Sequence, residues 1–511
     1  MKNRKKRQKR QTMHNRQTRH ITHTAELRAS YFARVQPVLG EGLQRVAVSV
    51  DGAAIPLLAR TLELLAGCRL GRIIVRGAPA SVGWPMEQLF AGPSASSAKR
   101  LAHHLRWKNP YAPPRLSRRG AAALHLGAER VAPGEPPRIH RQTEPRSVTL
   151  FVPEGDLLAH QDLSYAAARE ALEVLLGRCP LPRGTLYLGN EGWPYDQSSS
   201  APVAAPPPAP DWLGGLHLLV VGCGSVGSEA LRLLSATGAR FTLLDGGRVS
   251  IFNPHRQWFG AGEVGELKVT ALARRLPRVR PLPFALEAAT LPELEALLDQ
   301  DRPDAVLLAT GTGAGALAAP SLWRRGIPHL SACAYARARF FEVAILAPEE
   351  RTPCLHCLRG HLDRGPEALP PIDDELGRFL YQEVSPEERT RAYQELCAEP
   401  ATPIETGRVA DLAVRCLLEL VRPRPSRPLW FRRLIAEGTT CLLGGNVVER
   451  GPDGVLAFGL RFPGQVVRLG LPDLRGCEGE HCRVCGRALR GAPRAELPAA
   501  SEAEVTRALL G

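Results

Sequence analysis

The chain has 511 residues, a formal net charge of +15 and 44% hydrophobic residues. This length predicts two to four domains with sizeable cores. No run of 18 apolar residues occurs, so we expect no membrane span and no membrane partner. The first twenty residues contain no apolar stretch, which excludes a secretory signal there.

The first 25 residues are predicted to be a disordered basic tail. Nine of the first twenty residues are Lys or Arg and none is acidic. A solvated tail is the simplest interpretation, and the alternative is a tether to phosphate groups or to an acidic partner. Because no aromatic residues are interleaved with these charges, nucleic-acid binding is not favoured.

Residues 40–200 have an α/β pattern. Residues 45–77 alternate strand, turn, helix and strand, and two further strands are predicted at Arg146–Val152 and Gly184–Leu188, with a helix at Ala166–Leu176 between them. A Pro/Ala-rich stretch at 201–211 follows, and its composition predicts a semi-rigid linker between two domains.

A glycine-rich motif follows the linker. Leu216–Val221 is an almost wholly apolar predicted strand, and Ser228–Thr237 has helical periodicity with a stop at Gly238. Between them, Gly222, Gly224 and Gly227 form G-x-G-x-x-G. Such glycines allow a tight turn and the close approach of a phosphate to the helix N-terminus.

An acidic residue stands at the expected distance from this turn. Phe241–Leu244 is predicted to be the second strand, and Asp245 follows it directly. A carboxylate at this point can bind ribose hydroxyls, so the unit predicts a nucleotide site. A tight turn without a ligand is the alternative.

The next segment contains a polar and basic set that an ordinary dehydrogenase does not need. Asn253, Arg256, Gln257 and Lys268 follow Asp245 in order. Arg offers a planar fork of donors and Lys a mobile point charge, which suits a triphosphate. Any one of these residues alone would be consistent with a solvated loop.

Together these motifs resemble the ThiF/MoeB/HesA family, the adenylyltransferases related to ubiquitin-activating enzymes, over about residues 212–490. The resemblance implies a Rossmann-like doubly wound sheet and ATP with Mg²⁺ as cofactors. It also implies adenylation of the C-terminal carboxylate of a ubiquitin-like protein, carrier protein or peptide, possibly followed by transfer to a thiol. Arg256 and Lys268 would be catalytic. The nucleotide-binding set would be Gly222, Gly224, Gly227, Asp245, Asn253, Arg256, Gln257 and Lys268.

The cysteines predict a metal site and offer one candidate nucleophile. Two C-x-x-C pairs stand about 125 residues apart, and four thiolates suit a closed structural Zn²⁺ site. Their members are Cys354, Cys357, Cys482 and Cys485. Reduced thiols in a nucleotide-binding chain favour a cytoplasmic protein. Cys397 precedes a predicted helix at Gly407–Leu420 and lies where the family uses a reactive thiol, although a small buried cysteine is the alternative.

The N-terminal region contains what looks like a degenerate copy of the nucleotide-binding unit. Residues 81–99 align without a gap on 250–268, and Lys99 falls on Lys268. The chemistry is lost, because Arg76 takes the place of Asp245. Since adenylating domains of the family work in pairs, residues 40–200 are predicted to be an inactive partner in cis. The alternatives are a homodimer, or two unrelated units.

One departure from the family pattern affects the functional prediction. The strand predicted at Ala305–Leu308 leads to Gly311, where the family has an Asp that helps place Mg²⁺. This favours an alternative function, a non-catalytic module that binds nucleotide or a leader peptide in a peptide-modification system. An NAD-dependent oxidoreductase is a further alternative, which the basic set and the cysteine pairs disfavour.

The predicted domain boundaries complete the sequence-based interpretation. The nucleotide-binding adenylation domain spans 212–430, and residues 431–490 are predicted to form a small β-meander, at Thr439–Leu471, with a zinc knuckle. Residues 491–511 form a tail.

Overall fold

The computed structural model describes most of the chain between residues 43 and 470. The described ranges are 43–77, 97–108, 113–132, 135, 138–143, 146–153, 157–176, 184–188, 197–198, 211–310, 312–335, 340–350, 352–355, 401–427, 429–436, 439–445, 466–470 and 484. The predicted basic tail, residues 201–210 of the linker and the predicted C-terminal tail lie outside these ranges.

The first unit is built on an eight-stranded mixed sheet with the strand order β3-β2-β1-β4-β6-β5-β7-β8. Its elements are β1 (Ala47–Asp51), α1 (Ile55–Gly67), β2 (Arg72–Arg76), α2 (Ser97–Lys108), β3 (Arg115–Ser117), β4 (Leu124–Val131), β5 (Arg138–Thr143), β6 (Arg146–Pro153), α3 (Leu157–Leu176), β7 (Gly184–Leu188) and β8 (Gln197–Ser198). The first five strands in this order, β3, β2, β1, β4 and β6, are parallel to one another. The remaining pairs are antiparallel.

The second unit has a sheet with the order β11-β10-β9-β12-β13-β14-β15-β16. Its elements are β9 (His217–Val221), α4 (Ser225–Leu234), β10 (Arg240–Leu244), α5 (Lys268–Ala273), β11 (Val279–Leu282), α6 (Leu291–Gln300), β12 (Ala305–Leu308), α7 (Thr312–Arg324), β13 (His329–Tyr335), β14 (Phe340–Leu346), α8 (Pro403–Val421), α9 (Leu429–Ala436), β15 (Thr439–Gly445) and β16 (Val466–Gly470). Here too, five parallel strands, from β11 to β13, are followed by antiparallel ones.

The two sheets share one pattern of strand directions, which confirms the doubly wound α/β class and the repeated arrangement. Helix α2 connects β2 to β3 just as α5 connects β10 to β11. The units differ after the fourth strand. The second unit uses α7 as a crossover to the parallel strand β13, whereas the first continues into β5 and then places β6 between β4 and β5.

Local sequence explains the elements around the predicted nucleotide motif. All five residues of β9 are buried, as expected for a central parallel strand. Helix α4 begins at Ser225, three residues before the predicted start, because Gly224 already serves as its N-cap. The predicted stop is confirmed, since Gly238 has a φ of 72°, a left-handed conformation that favours glycine.

The strands predicted as a separate β-meander extend the second sheet instead. β15 pairs antiparallel with β14, and β16 pairs with β15. Helix α9 crosses the predicted boundary at residue 430. The edge of β14 would otherwise leave its backbone groups unpaired, and β15 satisfies them. None of the described helices is long and apolar enough to cross a membrane.

The two units pack against each other through close backbone approaches. Ile404, in the first turn of α8, belongs to the hydrophobic core of the first unit. A Cβ at Gly407 would overlap the Tyr165 ring of α3. At the end of α1, a Cβ at Gly67 would lie 2.6 Å from the carbonyl oxygen of His255. Glycine is therefore required at these contacts for steric reasons.

A buried set of charges crosses the same interface, and we call it the interface charge cluster. Its members are Arg60, Glu63, Tyr165, Glu229 and Arg232. The Oε1 atom of Glu229 on α4 lies 2.6 Å from Nη2 of Arg60 on α1 and 2.6 Å from Nη2 of Arg232. The hydroxyl of Tyr165 donates to the same oxygen, and Arg60 also pairs with Glu63 at 2.8 Å.

Candidate functional site

The glycine turn after β9 has the geometry of a phosphate-binding loop. Gly222 has a φ of +91°, and a Cβ there would lie 2.6 Å from the carbonyl oxygen of Ala309. A Cβ at Gly227 would overlap the carbonyl of Gly222. At Gly224, by contrast, a Cβ would meet nothing within 4 Å, so the backbone there faces open space. The first and third glycines are required for packing, and the second leaves room for a ligand.

The N-terminus of α4 opens onto that space. Gly224 is the N-cap, and no side chain caps the helix. The amide of Ser228 donates to the carbonyl of Gly224, which leaves the amides of the preceding turn without intrahelical acceptors. Together with the positive end of the helix dipole, these amides form a site suited to an anion.

Asp245 lies beside the turn with Lys268 next to it. The Asp245 carboxylate accepts the amide of Cys223 at 2.7 Å and the amide of Gly247 at 2.6 Å. Nζ of Lys268 lies 3.9 Å from Oδ2 of Asp245, and both side chains are partly exposed. Because a carboxylate has about four acceptor positions, Asp245 retains capacity for further hydroxyl donors.

The Asn253–Trp258 segment is folded against the same helix. Oδ1 of Asn253 accepts the Ser250 amide at 2.8 Å, and the amides of Arg256 and Gln257 donate to the carbonyl of Asn253 at 3.1 and 2.9 Å. Nε2 of Gln257 donates to Oγ of Ser225 at 3.3 Å, which ties the segment to the first turn of α4.

Two side chains of this segment lie almost wholly inside the protein. Arg256 and Gln257 are each 3% exposed. Within the described part of the chain, Oε1 of Gln257 is buried without a hydrogen-bond partner, so it can accept from a ligand hydroxyl or water. The structure thus brings together the three glycines, Asp245, Gln257 and Lys268. Arg256 lies on the Asn253–Trp258 segment with Gln257, and its side chain is buried.

Of the cysteines predicted to have a function, only Cys354 lies within the described residues. Cys354 is buried in a hydrophobic cluster that also contains Leu355, and Val484 packs against that cluster. Val484 stands between the two cysteines of the second pair. The remaining predicted ligands (Cys357, Cys482 and Cys485), the candidate nucleophile Cys397 and also Gly311 lie outside the described residues.

The structure limits the chemical roles of two other groups, Cys223 and Asp304. Burial raises the pKa of the Cys223 thiol well above its usual value, so this cysteine is no nucleophile at neutral pH. Asp304 accepts the amide of His217 at 2.7 Å, at the end of the sheet opposite the glycine turn. It therefore cannot replace the acid missing at position 311. Within the described ranges, no cluster of three or more His, Cys, Asp or Glu could hold a metal ion.

Sequence reasoning missed three residues that organise the site. Ser225 and Ser228 hold the Asn253–Trp258 segment, the latter by accepting the Trp258 amide at 3.2 Å. Their place in the first helical turn could have suggested such a role. Lys108 contacts the segment from the first unit, and no local pattern could have indicated a contact across about 150 positions.

The turn, the acid and the doubly wound sheet define a Rossmann-like domain. Residues 207–419 match the ThiF family model, which identifies a ThiF domain in this part of the chain. The match runs from just before β9 to near the end of α8 and includes every predicted nucleotide-binding residue.

Solved structures of MccB from E. coli are similar to this chain at low identity. The complex with MccA-N7isoASN has 14% identity and a TM-score of 0.35, covering 54% of this chain and 68% of that chain. The complex with ATP has 13% identity and a TM-score of 0.35, covering 52% and 68%. The microcin C7 biosynthetic enzyme MccB with N-formylated MccA has 14% identity and a TM-score of 0.36, covering 54% and 69%. No curated protein matched the chain.

Proposed function

We propose that this protein uses ATP to adenylate the C-terminal carboxylate of a ubiquitin-like protein, carrier protein or peptide. The observation that carries the proposal is the open space at Gly224, bordered by the uncapped α4 N-terminus and by the Asp245–Lys268 pair. The ThiF domain at residues 207–419 supports the same class of reaction.

The residues around this space fit ATP in a definite order. The remaining acceptor positions of Asp245 suit the ribose hydroxyls, and the amides at the start of α4 suit the phosphates. We propose that Lys268, which lies beside Asp245, contacts the α-phosphate, and that Arg256, Gln257 and Asn253 bind the rest of the triphosphate.

The reaction follows from this placement. A carboxylate oxygen of the substrate attacks the α-phosphorus, and the bond from that phosphorus to the bridging oxygen breaks. Pyrophosphate leaves with the electron pair, and an acyl-adenylate remains. The protein supplies position and positive charge, chiefly from Lys268 and Arg256, because no protein atom forms a bond in this step. A later transfer to a thiol, for which Cys397 is the candidate, would release AMP.

The residues present fit one of the two proposed metal ions, Zn²⁺, better than the other, Mg²⁺. Position 311 is glycine, which offers no carboxylate to Mg²⁺, and Asp304 is at the wrong end of the sheet. No step above is therefore assigned to Mg²⁺. For Zn²⁺ the predicted set of four thiolates fits, and Val484, between the cysteines of the second pair, packs on the cluster that contains Cys354 of the first. The ion would stabilise the fold there.

We also propose that the pairing of adenylating domains occurs within one chain. The interface charge cluster and the contacts at Gly67 and Gly407 bury the face of α4 and α8 against the first unit. The first unit is suited to an inactive role. Where the second unit has its glycine turn, β1 passes through a short 3₁₀ turn at Gly52–Ala54 directly into α1, and Arg76 ends β2.

The proposal is tested by ATP binding to the wild-type chain and to Lys268→Ala, measured by isothermal titration calorimetry. We expect binding to weaken at least about tenfold in the variant, because one charge-assisted contact to phosphate is lost. Arg324→Ala removes an exposed cation from α7 and serves as the matched control. A wild-type chain that binds no ATP would refute the proposal.

The missing acid at position 311 favours a second function, a module that binds nucleotide or a leader peptide without turnover. The two functions differ in one measurement. With a cognate tail present, an adenylating enzyme exchanges labelled pyrophosphate into ATP, and a binding module does not. ATP binding without exchange would support the module.

A further inference from the structure

Helix α2 of the first unit ends against the predicted nucleotide site of the second. Lys108, its last residue, is buried. Its Nζ donates to the carbonyl oxygens of Pro254 at 3.2 Å and Gln257 at 2.5 Å. It also lies 3.5 Å from Oε1 of Glu63. An ammonium group has three donors, of which the two carbonyls take two, and Glu63 adds an ion-pair contact.

These contacts hold the Asn253–Trp258 segment from the first unit. The two carbonyls that Lys108 binds flank Arg256 in sequence, while Ser225 and Ser228 hold the segment from the start of α4. Without Lys108, the Pro254 carbonyl would lose this donor, whereas the Gln257 carbonyl would keep the Phe259 amide at 2.8 Å. An unsatisfied buried acceptor is costly, so the segment would shift.

A neighbouring side chain reinforces the contact. A Cβ at Gly260 would overlap the indole of Trp107, so the backbone after the segment lies directly on that ring. The guanidinium of Arg275, just beyond α5, lies 5.0 Å from the Trp107 ring centroid and 5.6 Å from that of Trp258. Cation–π attraction at these distances holds the two units together at the site.

The topology gives this arrangement its significance. α2 occupies in the first unit the place that α5, which begins with Lys268, occupies in the second. In the first unit this helix no longer serves a phosphate site of its own, since Arg76 ends β2 at the place of the acid. Its C-terminal end instead supports the site of the other unit.

We infer that Lys108 is a positioning residue for nucleotide binding. It holds the Asn253–Trp258 segment in the conformation that presents Arg256 and Gln257 to the triphosphate. The inference rests on the proposed ATP site. It goes beyond that site because it gives the first unit, proposed to be inactive, a role in the preference for ATP over AMP. Asp245 and the α4 N-terminus would bind AMP without this support.

The experiment compares ATP and AMP binding by calorimetry for the wild-type chain, Lys108→Met and Lys108→Arg. We expect Lys108→Met to weaken ATP binding at least about tenfold and AMP binding less than about threefold. Lys108→Arg keeps a cation with several donors and should recover most of the ATP affinity. Leu105→Val, on the same helix and buried in the first unit's core, is the matched control and should bind both nucleotides like the wild type.

Each outcome decides the question. A wild-type chain that binds neither nucleotide removes both the ATP site and this inference. If the wild-type chain binds ATP and Lys108→Met binds it equally well, the inference alone is overturned. Equal losses for ATP and AMP in Lys108→Met, or the same losses in Leu105→Val, would show a general structural effect and would also overturn it. Should Lys108→Met not fold, Lys108→Arg decides, since a loss of ATP selectivity in that folded variant counts against the inference.

Discussion

Replacing Glu229 by Gln tests how the two units are joined. Glu229 lies on α4, the helix that begins at the glycine turn, and its Oε1 receives Arg60, Arg232 and the Tyr165 hydroxyl. Gln keeps the shape and one acceptor oxygen but removes the charge. Glu63 would then be the one carboxylate left among the members of the interface charge cluster.

The magnitude can be obtained in two ways. Removing one partner of a buried ion pair costs about 3–5 kcal/mol, because the other charge is left uncompensated. Burial by itself would raise the pKa of Glu229, but Arg232 and Arg60 outweigh it and lower the pKa from 4.5 to about 2. A shift of that size corresponds to about 3 kcal/mol of stability at neutral pH. We therefore expect Glu229→Gln to lower the free energy of unfolding by about 3–4 kcal/mol.

The measurement is urea unfolding followed by tryptophan fluorescence at pH 7. Glu295→Gln is the control, since its pair with Arg324 is partly exposed and should be worth less than about 1 kcal/mol. A loss below about 1 kcal/mol in Glu229→Gln would refute the view that this cluster binds the units together. Because a lowered carboxyl pKa gives stability that is lost as pH falls from about 4.5 toward 2, the wild-type chain should also lose this difference in acid.

Three further predictions each concern a single residue. Burial lowers the pKa of His329 from 6.5 to about 4, so the wild-type chain should lose about 2–3 kcal/mol of stability as the pH falls from 6.5 to 4. His329→Asn keeps a hydrogen-bond donor but does not titrate, so its stability should fall less. Urea unfolding at the two pH values measures the difference. Gly407→Ala forces a Cβ into the Tyr165 ring and should lower the free energy of unfolding by about 2 kcal/mol. The control is Gly214→Ala, whose Cβ meets open space and should change the free energy of unfolding little. Equal melting temperatures for the two variants would contradict this prediction. Purified wild-type chain should contain zinc and Cys482→Ser should contain less by elemental analysis, and a zinc-free wild-type chain would end the zinc proposal.

The second unit was largely predictable from its sequence because its signals are local. A buried strand, three glycines, a helix and a terminal acid lie within 30 residues, and β9, β10 and β12 appear where the apolar runs stand. The start of α4 was misplaced because glycine is a weak helix former, yet Gly224 can cap a helix without a side chain.

The remaining features of the fold and of the site depend on contacts between residues far apart in sequence. The pattern of β15 and β16 predicts strands but not that they would extend the main sheet, since pairing depends on which edge is open. Nothing in the helical pattern of α2 indicates that its terminal lysine reaches Pro254. The gapless match of residues 81–99 to 250–268 predicts a repeat, but it does not indicate that α2 contacts the second unit.

The asymmetry of the buried ionic contact has a consequence for assembly. In a two-fold symmetric dimer, every residue pair across the contact occurs twice, so each face must complement itself. Here Arg60 stands only on the first unit and Glu229 only on the second. Two copies of the ThiF half set face to face would bury their acids without that arginine. In the proposed pairing within one chain, each face has to complement only the other face and not itself.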